Sequence, residues 1–79
     1  MKTTLEVTLS LTCDQALVLF EWLSREDGRS RIPTEHQAEQ KVLWEIEGQL
    51  ERALVEPLQP DYSAAIVAAR ERIMSGEGT

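Results

Sequence analysis

Between Lys2 and Leu11 polar and apolar residues alternate. Leu5, Val7, Leu9 and Leu11 fall on one side, and Lys2, Thr4, Glu6, Thr8 and Ser10 on the other. A period of two is that of an extended chain with one wet face, so the pattern predicts a half-buried β-strand over 2–11. The period then lengthens. Thr12 and Gln15 have the spacing of a capping box, in which a hydroxyl and an amide satisfy the orphan N–H groups of a helix start, and a helix over about 13–25 is predicted. Its apolar positions, Cys13, Ala16, Leu17, Leu19, Phe20, Trp22 and Leu23, cover more than half the circumference, leaving Asp14, Glu21 and Arg25 as the wet stripe. Such a helix sits centrally, with Trp22 in the core and Cys13 as a small buried hydrophobe at its start.

A loop follows from Asp27 to Pro33, and Thr34 with Gln37 repeats the capping-box spacing. A second helix is predicted over 34–55, because Pro57 disfavours helical geometry at Glu56. Ala38, Val42, Leu43, Ile46, Leu50, Ala53 and Leu54 form its main apolar face, while Trp44, Gly48 and Val55 stand on nearly the opposite side. Asp61 is the expected N-cap of a third helix over 61–75, with Tyr62, Ile66, Ala69 and Ile73 in one stripe; Gly76 ends it and 76–79 form a frayed tail. The fold class predicted is mostly α, β-α-α-α, as a single domain over 1–79.

One strand alone leaves its backbone donors and acceptors unpaired. It can pair with the same strand of a second copy, with a different protein, or with a strand the pattern conceals. Pairing across a homodimer through Leu5, Val7 and Leu9 is the favoured expectation, since most soluble oligomers are symmetric dimers.

Fourteen acidic residues against eight basic ones give a net charge of -6, which repels phosphate backbones and anionic lipid and favours partners with basic surfaces. No apolar run approaches the roughly 18 residues of a membrane span, and the first residues lack the pattern of a secretory signal. A cytoplasmic location is expected, and the single cysteine fits a reducing compartment.

The raw material for catalysis is thin. His36 and Glu39 make one His-x-x-Glu spacing, short of the ligands a metal needs, and Glu45, Glu47, Glu51 and Glu56 read as the wet face of a helix. The glycines form no phosphate loop, so no cofactor is expected and the chain reads as a non-enzyme. Arg25, Arg29 and Arg31 make one basic cluster, with Glu21, Glu26 and Asp27 at hand to neutralise it.

The order of strand then helices, with Gly28-Arg29-Ser30-Arg31 between the first two helices, resembles the ribbon-helix-helix DNA-binding proteins over roughly the first 55 residues. The resemblance implies a dimeric ribbon whose polar face, here Lys2, Thr4, Glu6, Thr8 and Ser10, enters the major groove. Glu6 on that face and the charge of -6 oppose a polyanion, so nucleic acid is not expected as a partner. The run Ala38-Glu39-Gln40-Lys41-Val42-Leu43-Trp44-Glu45, continued by Leu54-Val55-Glu56-Pro57-Leu58 and Pro60-Asp61-Tyr62, resembles short bacterial proteins of unassigned function with one strand and three helices. That resemblance implies a bacterial source and the same architecture, and no activity.

What remains is surface for another protein. Trp44 lies off the apolar face, with Gly48 and Val55 within about 40° of it at 100° per residue and Glu47 and Glu51 alongside. Tryptophan is enriched in binding hot spots, and a glycine inside a helix costs about 1 kcal/mol relative to alanine, so it often marks close approach. Trp44 either packs within the fold, against the third helix or across the dimer, or faces a separate partner. The expected function is a small acidic interaction module, acting as an inhibitor, immunity protein or antitoxin does on a basic-surfaced protein, with ribbon-helix-helix DNA binding as the alternative.

Overall fold

Thr12 opens the first helix as its spacing predicts. Its Oγ1 accepts from the Gln15 N–H at 3.1 Å, while its own N–H donates to Gln15 Oε1 at 2.9 Å. The computed structural model of the chain describes residues 5–29 and 32–76. In order these form α1 (Cys13–Gly28), α2 (Gln37–Ala53), a 3₁₀ turn (Glu56–Leu58) and α3 (Tyr62–Ser75).

The second capping box does not form. His36 takes the N-cap position instead, its Nδ1 accepting from the Ala38 N–H at 2.9 Å, and Glu39 Oε1 accepts from the Glu35 N–H at 2.6 Å. Other backbone donors are satisfied, and the N-cap falls two residues later than Thr34. At the other end α2 stops at Ala53, and Leu54 is extended, φ -102° and ψ 141°. Pro57 then sits inside the 3₁₀ turn, where its missing N–H costs nothing. Asp61 holds the N-cap position of α3 without a side-chain cap bond, and Gly76 ends the helix at φ 81°, in the left-handed region that glycine adopts without strain.

α1 packs against both other helices, and the turn leans on α3. The buried residues are Leu17, Phe20 and Leu23 of α1, Leu54 after α2, and Ile66 and Ala69 of α3. Leu50, Tyr62 and Ala65 close around them. Ala69 is wholly enclosed, which sets how closely α3 can approach α1. Two long-range polar links brace that approach: Arg72 reaches Asp14 with two guanidinium hydrogen bonds of 2.8 Å each, and Arg70 reaches Glu21 at 3.3 Å.

Four sequence expectations are corrected. Among the described residues there is no strand, so the fold class is three helices rather than β-α-α-α. Residues 5–11 form no regular element, and Leu5, Val7 and Leu9 are 88%, 89% and 79% exposed; positions 2–4 lie outside the described residues. The reason is the one that made the strand a weak point: a ladder needs a second extended segment, and none of the described residues provides it. Alternation records that a segment can be half-buried, not that anything covers it. The ribbon on which the DNA-binding resemblance rests goes with the strand. Second, Cys13 is exposed rather than buried. Third, Trp22 is 42% exposed, at the margin of the core rather than in it.

The fourth concerns α2, which buries no residue completely. Its half-buried line is Gln40, Leu43, Glu47 and Leu50, leading into Leu54. Relative to the expected apolar face, the helix is rolled by roughly 75° about its axis. Val42 is 52% and Ile46 37% exposed in consequence.

Leu23 is the most enclosed large side chain, and Leu23→Ala is expected to lower unfolding stability by about 2–5 kcal/mol, read from denaturant midpoints at unchanged slope. The Arg72 hydrogen bonds hold the Asp14 carboxyl below its ordinary value of 3.8. A carboxyl that ionises more readily when folded adds stability above its unfolded pKa and loses it as pH falls through the folded one. The melting temperature should therefore decline on acidification below about pH 4, and part of that decline should vanish in Asp14→Asn, which starts from a lower value at neutral pH.

Candidate functional site around Trp44

The N-terminal half of α2 is held by one side chain at the end of α1. Asp27 lies in the last turn, and its Oδ1 accepts from Gln40 Nε2 at 2.7 Å. The same carboxylate accepts from the indole N–H of Trp44, at 3.2 Å to Oδ1 and 3.0 Å to Oδ2. Gln40 and Trp44 are one helical turn apart, so a single carboxylate can grip both. This draws the Gln40–Glu47 side of α2 toward α1 and leaves the indole itself 57% exposed.

Two shallow depressions border the ring. One is lined by Asp27, Ile32, Thr34, Gln40 and Trp44, the other by Gln37, Gln40, Lys41 and Trp44. Behind the indole, Glu47 is half-buried, and its carboxyl is pushed above the ordinary value of 4.5, first by desolvation and then by the negative charges of Asp27 and Glu51. None of these three carboxylates forms a salt bridge among the described residues. Ion pairs form elsewhere: Arg25 pairs with Glu21 at 2.6 Å and Glu26 at 3.0 Å, and Lys41 with Glu45 at 3.0 Å. The expected neutralisation of the basic cluster therefore holds at Arg25, while Asp27 is occupied by Trp44 and Gln40, and Arg31 lies outside the described residues.

Of the residues singled out from sequence, Trp44, Glu47 and Glu51 come together here. Gly48 is one turn from Trp44, and a Cβ built on it would meet only the end of the Arg52 guanidinium, at 3.5 Å. No second helix approaches it closely, so close packing is not what this glycine serves. Val55 is 61% exposed beyond the end of α2, past the extended Leu54, so helical spacing no longer ties it to Trp44. Val7 and Leu9 line a separate shallow concavity with Glu6, Thr8 and Gln49, and Leu5 is 88% exposed. Asp27 is the residue sequence reasoning missed, having been counted with the arginines beside it. Its spacing of 17 residues from Trp44 carries no local signal.

His36 serves as a helix cap, and among the described residues no group of three His, Cys, Asp or Glu side chains could hold a metal ion. No described helix is long and apolar enough to cross a membrane. The chain matches no protein family, curated protein or solved structure.

Trp44 is 57% exposed, so Trp44→Ala removes a half-exposed ring and one hydrogen bond. The expected cost is about 1 kcal/mol, against the roughly 3–5 kcal/mol typical of a buried aromatic. Thermal melts of the two proteins distinguish these outcomes, and a loss at the upper figure would place the ring in the core.

Proposed function

We propose that the protein is a non-enzymatic binding module that recognises a basic protein surface through Trp44 and the carboxylates around it, in the manner of an inhibitor, immunity protein or antitoxin. The observation that carries this reading is the juxtaposition of a tryptophan 57% exposed, fixed by Asp27, with the carboxylates of Asp27, Glu47 and Glu51. An arginine or lysine brought against the indole gains the attraction of a cation for the ring face and relieves repulsion among the three carboxylates. Because Asp27 already holds the ring, little side-chain freedom is lost on binding. The net charge of -6 steers such a partner toward this face and speeds encounter at low salt.

The DNA-binding alternative finds no support of this kind, since the described residues contain no ribbon and the exposed aromatic site is acidic. A fluorescence titration tests the choice. In a Trp22→Phe background, oligo-arginine peptide should shift the Trp44 emission, with affinity falling as salt is raised. The joint substitution Glu47→Gln and Glu51→Gln should weaken binding at least about tenfold, or about 1.4 kcal/mol, and double-stranded DNA should give no response. An emission unchanged by the peptide, or a response indifferent to the two glutamates, counts against this face as the recognition surface.

A further inference from the structure

The nitrogen donors beside Trp44 are already engaged. Gln40 gives its Nε2 to Asp27 at 2.7 Å, and the indole N–H of Trp44 lies 3.2 Å and 3.0 Å from the two oxygens of the same carboxylate. Both residues line the shallow depression that Asp27, Ile32 and Thr34 complete. What the side chains of this depression still offer is acceptors. A carboxylate has roughly four lone-pair sites, so the N–H groups of Gln40 and Trp44 leave part of Asp27 open. Gln40 keeps its amide oxygen and Thr34 its hydroxyl, and neither forms a side-chain hydrogen bond through that oxygen among the described residues.

The rest of the lining is not polar. The indole is 57% exposed and presents a ring face, and the half-buried Ile32 adds an aliphatic wall from the connection between α1 and α2. Among the described residues no lysine or arginine lines the depression. A group that suits it therefore brings several N–H donors, positive charge and a flat face. A guanidinium has all three, with five donors in one plane that stacks on an aromatic ring. An ammonium carries the charge on a point, with three donors and no face to stack.

We infer that the depression formed by Asp27, Ile32, Thr34, Gln40 and Trp44 is a socket for one arginine side chain of a partner protein. The guanidinium stacks on the indole and donates to Asp27, the oxygens of Gln40 and Thr34 take further N–H groups, and the methylene stem lies against Ile32. This socket rests on the recognition of basic surfaces proposed above. It adds the identity of the side chain, arginine rather than lysine, and brings the 32–34 segment into the binding surface. Because the depression is shallow, it suits a side chain presented on a protein surface better than a small molecule that needs enclosure.

Calorimetric titration of the wild-type chain with oligo-arginine and oligo-lysine of equal length, at equal salt, tests it. The arginine peptide should bind at least about fivefold more tightly. Thr34→Arg plants a guanidinium at the socket and should weaken the arginine peptide at least about tenfold. Gln59→Arg makes the same change in net charge at an exposed position that lines no part of the socket, and should leave the affinity within about twofold. Thr34 is exposed and precedes α2, so replacing it leaves the core untouched. Equal binding of the two peptides by the wild type overturns the socket, and so does a loss in Thr34→Arg no greater than that in Gln59→Arg. If the arginine peptide then still binds through Glu47 and Glu51, the recognition face stands without the socket. A peptide that does not bind at all overturns both.

Discussion

The structure depends on one helix serving two neighbours at once. α1 is the helix whose apolar residues extend around more than half its circumference, and Leu17, Phe20 and Leu23 fill the space between it and the rest of the chain. In so small a domain there is no second core to share the load. α3 commits its narrow stripe to α1, where Ala69 permits close approach and Ile66 fills the gap beside it. The Asp14–Arg72 and Glu21–Arg70 contacts then fix the height at which the two helices meet. Charge is used here at the edge of an apolar contact, where it orients more than it stabilises.

α2 is attached differently. Its C-terminal end is held by burial, through Leu50 and Leu54, while its N-terminal half is held by polar bonds from Gln40 and Trp44 to Asp27. Two anchors of different chemistry, on slightly different sides of the helix, determine its rotation about its own axis. The rotation they select turns the Gln40, Leu43, Glu47 and Leu50 line inward and leaves apolar residues outside.

The exposed surface consequently divides by chemistry. On one side of α2 lies an aromatic ring set among mutually repelling carboxylates, and on the other stand the exposed Val42 and Ile46. The two stripes differ in what they attract. Electrostatic attraction acts over a Debye length of about 10 Å and draws a charged partner to the first, whereas the second gains only on direct contact, by release of water.

Helix α1, its capping box and the stripe of α3 are legible in the sequence, because capping bonds span three residues and an amphipathic stripe repeats within one or two turns. The stop of α2 short of Pro57 and the left-handed Gly76 follow from the same local rules. Among the site residues Trp44, Glu47 and Glu51 could be picked out as an off-face group, since their relation is set by helical spacing alone. The fate of residues 5–11 could not be read, because alternation specifies an extended amphipathic segment while a strand requires a distant partner that no local pattern encodes. The exposure of Cys13 and Trp22 had the same origin: Trp22 lies on the margin of α1's broad apolar arc and Cys13 at its first residue, and only the positions of α2 and α3 determine where cover ends. Asp27 is the clearest case. Within its own stretch it is one more acid among arginines, and only the crossing of α1 and α2 brings its carboxylate to the indole N–H of Trp44 and so determines which side of α2 faces inward.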